Sequence, residues 1–142
     1  MTAIIDKTDV EEAAVQEAID TIREMSSRKR LNSEEWRAFF LKDDMMKVIS
    51  QPKFLRALGD CFTTKSVNDN LYGILTGELN NVRSYLQSHK IDLTNSVGSD
   101  PLAYAESKIE YANDRYRRKK AAATSSIFFA ILLIIRLIVT SQ

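Results

Sequence analysis

Residues 127–139 read IFFAILLIIRLIV, and all of these side chains except Arg136 are apolar, on every side of any helix drawn through them. A helix without a polar face offers water no side, so it is either the core helix of a large protein or a membrane span. A chain of 142 residues has no room to surround such a helix with a domain. From Ala121 to Val139 only Thr124, Ser125, Ser126 and Arg136 interrupt the apolar run. A helix over that stretch is about 28 Å long, close to the hydrocarbon thickness of a bilayer. The sequence therefore predicts a transmembrane anchor over 121–140. Its apolar body is Ile127, Phe128, Phe129, Ile131, Leu132, Leu133, Ile134, Ile135, Leu137, Ile138 and Val139.

The flanks orient it. Arg115, Arg117, Arg118, Lys119 and Lys120 abut the proximal end, with Tyr111 and Tyr116 among them at headgroup level, whereas only Thr140, Ser141 and Gln142 follow the span. Positive charge stays on the cytosolic side, which places the N-terminal part in the cytosol or its organellar equivalent. A span so close to the last residue resembles the tail-anchored arrangement, and that architectural resemblance implies insertion after translation. The short span and strongly basic flank favour the outer membrane of a mitochondrion or plastid over the secretory route. Membrane lipids are then the first partners expected.

Arg136 is the exception inside the run. Four residues before Thr140, its long side chain can snorkel to the far headgroups, well below the ~2.5–3.5 kcal/mol cost of arginine at a helix centre. The sharper reading is an intramembrane ion pair with a carboxylate of a neighbouring span.

The rest of the chain reads as all-α, a small helical domain whose long C-terminal helix continues into the single span. Four glycines and two prolines leave few turn signals for a sandwich or barrel. Residues 1–31 form an acidic amphipathic helix, carrying Asp6, Asp9, Glu11, Glu12, Glu17, Asp20 and Glu24. Thr8 and Glu11 make a capping-box start for it. Val10, Ala14, Ala18, Ile22 and Met25 give one apolar stripe, with Val15 and Ile19 beside it. The sequence MTAIIDKTDVEEAAV has neither the basic and apolar regions of a secretory signal nor the basic character of an organellar presequence. One cysteine, Cys61, fits a reducing compartment.

Residues 32–99 read as a helical interaction domain. A helix opens at Asn32 or Ser33 and presents Trp36, Phe39 and Phe40. A second starts at Asp43 or Asp44 with Met46 and Ile49 inward, and Pro52 opens a third that holds Phe54, Leu55 and Leu58 before Gly59. The run DDMMKVISQPKFLRALGDC is similar to the STI1-type repeats of co-chaperones, whose short helices start at proline steps and line an apolar groove. It lacks a proline after Asp43, and no residue role is carried over. Leu71, Leu75, Leu79, Val82 and Leu86 mark a long helix from Ser66, in which Gly73 and Gly77 would let another backbone approach. LTNSVGS is the clearest loop.

Residues 100–120 form a juxtamembrane helix. Asp100 and Pro101 are a cap and a first helical residue. Leu102, Ala105, Ile109, Ala112 and Tyr116 follow at alternating spacings of three and four, a narrow helix–helix seam. Asp114 and Arg118 are placed for a supporting pair. With no break after it, one rod is expected from Pro101 to about Val139.

No phosphate loop, dinucleotide fingerprint, zinc spacing or nucleophile motif is present, so an enzyme and a cofactor are not expected. The bases at 28–30 lack the aromatic-basic surface of a nucleic-acid binder. Three functions fit the topology. The first is a membrane-anchored domain that binds or assembles other proteins. The second is a small accessory subunit of a membrane complex, with Arg136 paired in the bilayer. The third is a membrane-active pore former or death regulator.

Overall fold

The structure, a computed structural model, describes residues 2–93 and 100–140, with side chains from residue 12 onward. Most of LTNSVGS, the side chains of Thr8, Val10 and Glu11, and Ser141 and Gln142 lie outside the described residues. Among those described there are six helices and no strand.

Helix α1 spans Thr2–Ser27. It starts six residues before Thr8, so Thr8 and Glu11 are interior positions and not the cap expected from their spacing. Its apolar stripe does what the rhythm requires: Val15, Ala18, Ile19, Ile22 and Met25 are buried. Helix α2, Ser33–Phe40, is capped by Asn32, whose Oδ1 accepts from the amides of Glu34 (3.0 Å) and Glu35 (3.2 Å). That satisfies two of the amides a helix start leaves unbonded. Trp36, Phe39 and Phe40 are buried from it.

Helix α3, Met45–Ile49, follows Asp44 in the left-handed region (φ 59°). Helix α4, Pro52–Cys61, begins at the proline, as its fixed φ and missing amide favour. Gly59 does not end it. The helix continues to Cys61 with Gly59 buried inside its last turn. Phe54, Leu55 and Leu58 close into the core. Phe39 stacks on Phe54 at 6.2 Å, and Trp36 meets Phe62 at 5.2 Å.

Helix α5, Asp69–Ser88, is capped by Asn68, whose side chain accepts from the Leu71 amide at 2.8 Å. Leu71, Leu75, Leu79, Val82 and Leu86 all face the core. Gly73 and Gly77 are on the other side: a Cβ added at either would meet nothing within 4 Å. The close approach expected there occurs instead at Gly59, where an added Cβ would lie 2.7 Å from the Tyr104 ring and 3.3 Å from Ala105 Cα.

Helix α6, Pro101–Thr140, is one unbroken rod of 40 residues, about 60 Å long. Asp100 caps it, accepting from the Leu102 amide at 2.9 Å. Its first turns lie against α4 and α5, and α1 packs on the other flank of α4. One continuous core therefore runs from Val15 to Ala112. It joins the acidic helix, the middle segment and the juxtamembrane segment into a single packed body.

Candidate membrane-anchoring site

The rod α6 has two environments along its length. Leu102, Ala105, Ile109 and Ala112 are buried, and Tyr116 is half-buried. The seam predicted over these residues is thus occupied by α4 and α5 of the same chain. Burying side chains the size of Leu102 and Ile109 is worth about 1.5–3 kcal/mol each. Past Tyr116 the helix is exposed, covered by none of the described residues. The apolar side chains from Ile127 to Val139 are 48–68% exposed in spite of their size. An apolar surface of this extent in water would be strongly unfavourable, and the length matches a bilayer.

The rod leaves the domain through a set of hydrogen bonds to the α4–α5 connector. The Val67 amide donates to the Ala112 carbonyl at 3.0 Å. Asn113, buried beside the seam, donates from Nδ2 to the Val67 carbonyl and to Asp69 Oδ1, both at 3.0 Å. Arg115 donates from Nε to the Lys65 carbonyl at 2.9 Å, and from its terminal amine to the Phe62 carbonyl at 2.6 Å. A cation is thereby placed on the carbonyl of Phe62, which caps α4, and on a carbonyl of the connector that follows it. Arg117 Nε reaches Asp69 Oδ1 at 3.2 Å. Hydrogen bonds from Asn113 first, and from Arg117 second, hold the Asp69 carboxyl below the usual carboxylate range.

The basic flank is therefore divided. Arg115 and Arg117 tie the rod to the domain, while Arg118, Lys119 and Lys120 are exposed. Arg118 Nε points to the Asp114 carbonyl at 3.4 Å, so that pair meets through the backbone. Beside Tyr116 and Lys119 opens a cleft of about 470 Å³, walled by the α1–α2 turn and the connector. Sequence reading missed this cleft and Asn113, because their parts are far apart along the chain.

Within the span, Thr140 donates its hydroxyl to the Arg136 carbonyl at 2.9 Å. The Arg136 side chain is exposed, and no carboxylate pairs with it among the described residues. Away from the span, Cys61 is half-buried, and burial pushes its thiol pKa up, opposed in part by a hydrogen bond with Ser26. His89 closes α5, its ring against Tyr85 at 4.2 Å.

Comparison of the chain with protein families, characterised proteins and solved structures gave no match.

Proposed function

We propose that this chain is a single-pass membrane protein whose helical domain, held on the cytosolic face, binds or assembles other proteins. One observation carries the reading: the same helix that completes the domain core continues as an apolar rod with none of its span buried in the domain. A continuous helix fixes the domain close to the bilayer, which suits recruitment more than diffusion. Arg118, Lys119 and Lys120, exposed on the domain side of the span, support the cytosolic orientation. The short span with this flank supports an outer membrane of a mitochondrion or plastid. Binding is favoured over catalysis by Cys61, whose raised pKa makes it a poor nucleophile at neutral pH.

The experiment is alkaline carbonate washing of membranes that carry the protein, followed by protease on sealed organelles. The chain should stay in the membrane pellet, and its domain should be digested from outside. Release into the wash would leave α6 peripheral, and a protected domain would reverse the orientation.

A second reading, an accessory subunit of a membrane complex, is favoured by Arg136 alone, since anchoring would be served better by leucine. An intramembrane pair predicts that Arg136→Leu dissociates the complex by stranding the partner's acid in a low dielectric. Snorkelling predicts unchanged native size and unchanged co-purifying proteins.

A further inference from the structure

The cleft beside Tyr116 and Lys119 is chemically one-sided. Lys29 and Arg30 reach it from the α1–α2 turn, Lys65 and Ser66 from the α4–α5 connector, and Lys119 from α6. Among the described residues no Asp or Glu lines it. The neighbouring base, Arg28, is not part of it, because Arg28 is ion-paired with Glu35. Likewise Asp69, at the start of α5, is matched by Arg117. Lys65 uses one donor on the Arg28 carbonyl at 3.4 Å and keeps two. Lys29, Arg30 and Lys119 have no ion pair among the described residues. Four like charges drawn from three separate elements into one concavity repel one another. A fold that gathers them without an acid is suited to an anion that bridges them.

The position of the cleft along α6 selects the anion. Lys119 precedes Ala121 by two residues and Tyr116 precedes it by five, about 3 Å and 7.5 Å along the helix axis. The headgroup layer is about 5–8 Å deep on each side of the hydrocarbon. The mouth of the cleft therefore lies at headgroup depth once α6 is in a bilayer. A phosphomonoester carries a charge of about −1.5 to −2 and three strong acceptor oxygens, which suits several cations with a hydroxyl. A serine headgroup brings its own ammonium and a smaller net charge. We propose that this cleft binds the phosphomonoester headgroup of an anionic lipid in the membrane that α6 enters. The inference rests on the membrane-anchoring reading above.

The test uses the full chain reconstituted into phosphatidylcholine vesicles. These are prepared alone, with phosphatidylinositol 4-phosphate, or with phosphatidylserine at matched surface charge. Flotation first reports whether the chain is in the bilayer at all. A chain that does not float sinks the anchoring reading itself, independently of any headgroup. In floated vesicles, amine acylation is followed lysine by lysine by mass spectrometry. The phosphoinositide should slow acylation of Lys29, Lys65 and Lys119 at least threefold relative to Lys42 and Lys53, which lie outside the cleft. The phosphatidylserine vesicles should give clearly less protection. The double variant Lys29→Glu, Arg30→Glu alters only exposed turn residues, and should abolish protection of Lys65 and Lys119 while still floating. Equal protection by both anionic lipids, extending to Lys120, would mean a diffuse surface effect and overturn the site. Equal protection by inositol phosphate added to neutral vesicles would make the ligand a soluble anion and overturn the lipid assignment. No protection in any vesicle would overturn the cleft as a binding site.

Discussion

At the scale of single residues, three glycines and one lysine separate what a helix tolerates from what its neighbours allow. Gly73 and Gly77 sit exposed in the interior of α5 with open space where a Cβ would go. Glycine there costs about 0.5–1 kcal/mol relative to alanine through backbone entropy alone. Gly73→Ala and Gly77→Ala should each raise stability by about that amount, seen as a higher urea midpoint at unchanged slope. Gly59→Ala should do the opposite, because its methyl would press on the Tyr104 ring at 2.7 Å and the α6 backbone at 3.3 Å. Overpacking of this kind costs about 1–3 kcal/mol. Lys90, the residue after the C-cap His89 of α5, has a positive φ of 54°, with the Ile91 amide on the Leu86 carbonyl at 2.9 Å and its own on the Gln87 carbonyl at 3.2 Å. This is the paired bonding of a Schellman end, in which glycine is the unstrained residue. Lys90→Gly should therefore stabilise by about 1 kcal/mol or more, the cost of placing a side chain in the left-handed region.

At the scale of elements, the joint between α6 and the α4–α5 connector sets how the domain stands on its anchor. Asn113→Ala removes the donor to the Val67 carbonyl inside the core, and should cost about 1–3 kcal/mol by leaving that acceptor unpaired. Arg117→Ala removes only an exposed pair and should cost less than about 1 kcal/mol. The joint also has an acid limit. The Asp69 carboxyl titrates lower when folded than when unfolded. Its contribution is present above the ordinary carboxylate pKa of about 3.9 and is lost as pH falls through the lower, folded value. The gap in Tm between wild type and Asp69→Asn should accordingly close as pH is taken from 6 down to 3. None of this joint was legible in the sequence, since its hydrogen bonds cross 44 to 53 residues. What was legible was local. Asn32, Pro52 and Asp100 announce helix starts by their own chemistry, and the leucines of α5 announce its buried face by their rhythm. Which glycine meets a neighbouring helix depends on docking, so the sequence could not choose Gly59 over Gly73 and Gly77. The same limit hid the division of the basic run into Arg115 and Arg117, which hold the rod, and Lys119, which faces the cleft.

At the scale of the whole molecule, the chain is a domain and a span that share one helix without sharing a core. Among the described residues the core extends along α6 no further than Ala112, and the hydrogen bonds of the joint end at Arg117. The span contributes no buried surface to the domain. Stability of the domain should then be independent of everything after Lys120, whereas shortening α6 past Arg117 removes first the joint and then the core. A chain ended at Lys120 should be soluble and should unfold in urea in a single cooperative transition, followed by far-UV circular dichroism and by Trp36 fluorescence together. A chain ended at Ser107 loses Ile109, Ala112 and Asn113, all buried, and with Ile109 alone forfeits about 2–5 kcal/mol. Against a typical domain stability of about 5–15 kcal/mol, adding the lost joint should leave that shorter chain without cooperative unfolding. If the chain ended at Lys120 instead aggregates or melts without a transition, the apolar half of α6 is part of the domain and the division of the rod is mistaken. If both truncations unfold alike, the joint rather than the span is the part assigned wrongly, and α6 owes its place to the membrane alone.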